Sequence, residues 1–224
     1  MTFSIVARAA DASHFGVAIA SSSPAVAARC AYAKAGVGAV ASQNLTNPAL
    51  GPAVLSLLER GAATHEAVDT TFAAETYRDY RQLLAIGRQG GPSIRSGSNV
   101  LGVHGEAVAA HAAAAGNLLA HSEIPAAMVA AFDAARGSFG ARLLAALHAA
   151  VREGGEAGPV HSAGLYVVRD VSWPIVDLRV DWVETDPVGT LASIYDVYAS
   201  QIDAYVQRAR NPSVAPSFNV PGDP

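Results

Sequence analysis

The order in which strand-like and helical patterns follow one another restricts this chain more than any single motif. Three strand-like runs come before any convincing helix. In the first, Phe3, Ile5 and Ala7 alternate against Ser4, Val6 and Arg8; the second is Phe15–Ser21, and the third covers 36–43. A helical pair follows. Residues 48–60 put Leu50, Val54, Leu57 and Leu58 on one stripe with Gly61 beyond the end, and 64–72 start at Thr64 as N-cap. Strand character resumes at Arg81–Gly87, and Gly90, Gly91, Pro92 and Gly97 then mark turns between short extended pieces. Residues 106–119 are alanine-rich enough for a helix, but glycines at 105 and 116 favour one buried strand.

A second helical pair, 124–135 and 139–153, precedes two strands at 162–169 and 175–183. The last helix opens with Asp186 as N-cap and Pro187 at its first position, and its stripe runs from Val188 through Leu191, Ile194, Tyr198 and Ile202 to Tyr205. Helices gathered in antiparallel pairs argue against a doubly wound parallel sheet. They predict an α+β fold, a four-layer αββα sandwich of two mainly antiparallel sheets between helical layers. Residues 1–210 read as one domain, and 211–224, with four prolines and no period, as an extended C-terminal tail. Small side chains suit two closely packed sheets, and 48 of the 224 residues are alanine.

A net charge of -4 with acidic and basic residues dispersed offers no surface that tracks phosphates, so nucleic acid is not an expected partner. The longest uncharged run, 35–58, is broken by Gln43, Asn44, Asn47, Pro48 and Pro52, and the start of the chain lacks the basic region of a secretory signal. No membrane association is expected. The single cysteine, Cys30, permits no internal disulfide and no multi-cysteine zinc site; it fits a reducing compartment, hence a cytoplasmic protein. The last helix and the tail could supply the contact area of a homo-oligomer.

Several motifs dissolve on inspection. Gly36-Val37-Gly38 precedes a strand rather than the helix that a dinucleotide fingerprint needs. The seven histidines show no metal-ligand spacing, so neither a metal nor a cofactor is expected. Ser162, in Val160-His161-Ser162-Ala163-Gly164, lacks the first glycine of a nucleophile elbow, and its neighbour His161 would point to the opposite strand face. Arg8 and Asp11 suggest an ion pair at the first hairpin. The N-terminus remains. Removal of Met1 would leave Thr2 at the head of the first strand with a free α-amine, a base of pKa about 7.7 to 8.0 beside its own hydroxyl.

Thr2-Phe3-Ser4-Ile5-Val6-Ala7-Arg8, Phe15-Gly16-Val17-Ala18-Ile19-Ala20-Ser21 and the stretch from Ala35 to Gln43 followed by Asn47-Pro48 resemble the bacterial family catalogued as domain of unknown function 1028. Gly116-Asn117-Leu118-Leu119, Ser162-Ala163-Gly164-Leu165 and Val176-Asp177-Leu178-Arg179-Val180-Asp181 agree with it. That family is grouped with the N-terminal nucleophile (Ntn) hydrolases, which implies the same αββα sandwich. The resemblance implies Thr2 as nucleophile and Lys34, the only lysine, as the group that tunes it. Gln43, Asn44 and Asn117 are candidates for binding a substrate amide or an oxyanion. The activity implied is hydrolysis of a C–N bond in a small molecule or peptide. The alternative is a non-catalytic ligand-binding or scaffold protein that retains Met1, and a third option is an internal nucleophile among Ser21, Ser23 and Ser162.

Overall fold

The computed structural model describes residues 2–218 and 220; Met1 and, at the end of the expected tail, 219 and 221–224 lie outside them. In chain order the elements are β1 (Thr2–Arg8), β2 (Phe15–Ser21), α1 (Val26–Cys30), β3 (Ala31–Lys34), β4 (Gly38–Asn44), α2 (Leu50–Glu59), α3 (Thr64–Ala74) and β5 (Arg81–Gly87). Then come β6 (Ser93–Ser96), β7 (Gly105–Val108), β8 (Ala112–Asn117), α4 (Ile124–Ala134), α5 (Phe139–Arg152), β9 (Ser162–Val168), β10 (Val176–Val180), α6 (Pro187–Ala199) and α7 (Ile202–Arg210). The strands form a larger sheet in the order β10-β9-β2-β1-β8-β7 and a smaller one in the order β3-β4-β5-β6, with antiparallel neighbours throughout.

Period-two alternation builds the layers. Phe3, Ile5 and Ala7 of β1 face outward and pack with Met128 and Phe132 of α4, Leu143 and Leu147 of α5 and Leu191 of α6. On the other sheet, Val40, Leu83 and Ala85 meet Val54 of α2 and Val68 of α3. Between the sheets Val6, Phe15, Val17, Ala39, Ala41, Leu84, Ile86, Ala113 and Ala115 form the inner core. The order is helices, sheet, sheet, helices, the predicted αββα sandwich. Each of the large side chains in it contributes roughly 1.5–3 kcal/mol by burial.

The departures from the sequence reading are local. The segment 106–119 is a hairpin, β7 and β8, rather than one strand; its turn, Ala109-Ala110-His111, closes by Ala109 N–H donating to the Ala112 carbonyl and carries no glycine, asparagine or aspartate to announce it. The third predicted strand starts at Gly38, and ahead of it stand α1 and the short β3. Ala63 rather than Thr64 caps α3: its N–H donates to the Glu66 carboxylate, while the Thr64 hydroxyl accepts from Gly87 N. The last helix breaks at Ser200-Gln201 into α6 and α7, although Tyr198 and Tyr205 stack across the break at 5.8 Å, so the apolar stripe continues. Arg8 does not pair with Asp11. Its guanidinium donates to the Gly87 and Gly90 carbonyls at 2.7 and 3.0 Å, and Asp11 accepts from Ser13. Among the described residues, no helix is long and apolar enough to cross a membrane.

Helix α1 fits only because β9 offers it a glycine. A Cβ built on Gly164 would stand 2.3 Å from Ala27 Cβ. Gly164→Ala is therefore expected to push α1 off the sheet and cost about 1–3 kcal/mol, read as a lowered urea midpoint with an unchanged slope.

Candidate functional site

The register of the larger sheet lines up polar side chains at the end where β1 begins. Thr2 lies opposite Asn117 of β8, and Ser21 of β2 opposite Ser162 of β9. One step before the Phe3–Ala20 pair, Thr2 meets Ser21, and the Thr2 hydroxyl donates to Ser21 Oγ at 3.4 Å. Asn117, Thr2, Ser21 and Ser162 thus form a row across four adjacent strands, on the face that looks toward the smaller sheet. All four are buried.

Behind this row a buried network crosses between the sheets. The Ser4 hydroxyl donates to Gln43 Oε1 at 2.6 Å, Gln43 Nε2 donates to Gln82 Oε1 at 2.7 Å, and Gln82 Nε2 donates to Ser96 Oγ at 2.9 Å. Asn117 Nδ2 joins by donating to Gln82 Oε1 at 3.4 Å, which leaves Asn117 Oδ1 buried and without a hydrogen-bond partner. An acceptor buried without a partner costs about 1–3 kcal/mol.

The turn after β2 holds the row in place. Ser23 N donates to Ser21 Oγ at 3.0 Å, and Ser22 N donates to both carboxylate oxygens of Glu156 at 3.0 and 3.3 Å. Glu156 is buried in the loop after α5, and a bridge from Leu119 to Glu156 ties that loop to the end of β8. Burial pushes its carboxyl up to about 7, against the lowering effect of the Ser22 hydrogen bond. Ser162 Oγ donates to the Ser23 carbonyl at 2.6 Å and accepts from Val26 N; its partners are backbone groups rather than a base. His161 Nδ1 meets the Val183 carbonyl, and its ring stacks on Trp182 at 4.3 Å.

Two of the expected site residues lie elsewhere. Lys34 ends β3, opposite Gly38, which in turn pairs with Gly87, the residue held by Arg8. That is the opposite end of β1 from Thr2, six strand steps or about 20 Å away. Lys34 pairs there with Glu59 at 2.6 Å, half exposed. Asn44 leaves the strand with a positive φ of 71°, donates to the Tyr80 carbonyl and accepts from Leu101 N, so it ties loops together. Gln43 reaches the row through Gln82, whose Oε1 accepts from both Gln43 Nε2 and Asn117 Nδ2.

The model of a family of unknown function (DUF1028) matches residues 2–191. The chain belongs to this family. The crystal structure of protein SPO2555 from Silicibacter pomeroyi, also described by the DUF1028 model, is 32% identical and superposes with a TM-score of 0.82 over 90% of this chain and 93% of that one. Anbu (ancestral beta-subunit) from Yersinia bercovieri aligns over 91% of this chain and 97% of its own at 13% identity, with a TM-score of 0.40, too distant to carry any argument. No curated protein matches.

In this DUF1028 chain Glu156 and Gln82 escaped the sequence reading for different reasons. Gln82 alternates with Leu84 and Ile86 on the inner face of β5, a pattern that marks it as an inward polar residue. Glu156 sits in a loop of no period after Gly154 and Gly155, and only the folded chain brings it to Ser22. Its raised pKa has a sign that can be worked out. From the ordinary glutamate value up to about 7, folded Glu156 holds a proton that the unfolded chain has released. Stability therefore falls as pH rises through that window, by up to about 3 kcal/mol, and levels off above it. Glu156→Gln is expected to flatten this slope, measured by urea unfolding from pH 4.5 to 8; an unchanged slope would exclude Glu156 as its source.

Proposed function

We propose that this protein is an amide-bond hydrolase of the N-terminal nucleophile type, acting on a C–N bond of a small molecule or peptide, with Thr2 as nucleophile once Met1 is removed. The observation that carries this reading is the position of Thr2 at the head of β1, in one row with Asn117 and Ser21. In the mechanism the Thr2 α-amine takes the hydroxyl proton and Oγ attacks the substrate carbonyl. The tetrahedral oxyanion accepts hydrogen bonds from backbone N–H groups at the strand ends. Collapse expels the amine, which leaves with the proton from the α-ammonium, and water then attacks the Thr2 ester to release the acid. Ser21 orients the nucleophile. Lys34 has no part, because about 20 Å separates it from the hydroxyl.

That same distance favours a second reading, a non-catalytic ligand-binding protein of this fold that retains Met1. One set of measurements separates the two. Under the hydrolase reading, intact-mass spectrometry of untagged protein shows the loss of one methionine, and a β-lactone probe leaves a covalent adduct on Thr2. Thr2→Ala abolishes the adduct, Ser21→Ala slows its formation about tenfold, and Lys34→Ala leaves the rate unchanged. Quantitative retention of Met1 would overturn the mechanism and leave the second reading.

A further inference from the structure

Where Lys34 does lie, the structure has a cleft of about 580 Å³. It opens at the end of the sandwich away from Thr2, between the β1–β2 turn, the β3–β4 turn, Arg88 just after β5, and the β9–β10 connection. The size is that of a small-molecule site, where apolar walls dominate and a few polar groups orient the ligand. The walls here follow that pattern. Ala33, Ala35, Val168 and Pro174 line it together with two aromatic rings, Tyr166 and Trp173, and 40% of Trp173 is exposed.

The charges are unequal. Arg169 lines the cleft but is held by Asp170 and Asp203, both at 2.8 Å, and Asp170 also holds Arg210 at 2.9 Å. Those two arginines keep the Asp170 carboxyl down at about 2, so it stays ionised. Lys34 is matched by Glu59. Arg88 forms no side-chain hydrogen bond or ion pair among the described residues, and it borders both this cleft and a neighbouring one of about 470 Å³ that shares Gly36 with it. Among the charged residues of the cleft and their ion-pair partners, one positive charge is left over, and it is Arg88. A guanidinium without a carboxylate, beside exposed aromatic surface, matches a ligand with one negative charge and a flat apolar body.

We propose that this cleft is a binding site for a small aromatic monocarboxylate, with the ring against Trp173 and Tyr166 and the carboxylate on Arg88. The exposed Lys34–Glu59 pair holds Lys34 weakly, so the lysine contributes a second, lesser attraction. The site is independent of Thr2 and stands whether or not the protein is a hydrolase.

The test is calorimetric titration of the full chain with 2-naphthoate. Saturable binding of one equivalent is expected. Arg88→Ala should weaken it tenfold or more, Trp173→Ala by a similar factor, and Lys34→Ala two- to threefold, while Thr2→Ala binds as the unaltered protein does. Arg88 is exposed and unbonded, so its removal leaves the fold intact. The neutral naphthalene-2-methanol should bind at least tenfold more weakly. Absence of saturable binding, an Arg88→Ala variant of unchanged affinity, or equal binding of the alcohol would each overturn the proposal.

Discussion

The hydrogen bond from Ser4 to Gln43 is the constraint around which the two sheets are arranged. It is short, at 2.6 Å, fully buried, and joins the third residue of β1 to the sixth of β4. Slipping either strand by one residue would turn one partner toward the helices and bury the other alone, at a cost of about 1–3 kcal/mol. The apolar contacts of the inner core are non-directional and would tolerate several registers. This bond and its continuation through Gln82 select one. The same register places Thr2 beside Asn117 and Ser21, so the contact that aligns the sheets also assembles the polar row.

The sandwich consequently has two ends of different chemistry. At the Thr2 end, hydroxyls and amides bond to one another, Asn117 Oδ1 excepted, with Glu156 as the buried carboxyl that anchors the turn after β2. At the other end Arg8 closes the inner core by donating to two carbonyls, and beyond it lie the exposed cations of the turns. The hydrophobic seam between the ends insulates one from the other.

The layer order was legible because it depends on periodicity and on the grouping of helices, both of which are local signals. β1, β2 and β5 fall where the alternation puts them, and α5 where its leucines recur. Structure set by tertiary contact was not legible. Helix α1 has five residues, too few for a period, and depends on the space over Gly164. The β7–β8 turn uses alanines and a histidine where turn residues would have announced it. Thr2 and Asn117 were separate candidates in the sequence, and only the pairing of β1 with β8 sets them side by side. Lys34 was misplaced because its rarity among fourteen arginines says nothing about which end of the sheet it reaches. Glu156 was missed because its contact with Ser22 spans 134 positions.

The alanines of the inner seam have a consequence beyond close packing. Ala39, Ala41, Ala113 and Ala115 bring no rotamers into the folded state, so the sheets come together with almost no loss of side-chain entropy at those positions. The same lack of torsional freedom leaves the middle of the seam unable to rearrange around a guest. Adaptability is confined to the ends, where glutamine, arginine and lysine carry several rotatable bonds each. A molecule that enters between these sheets therefore meets a rigid floor and a compliant rim.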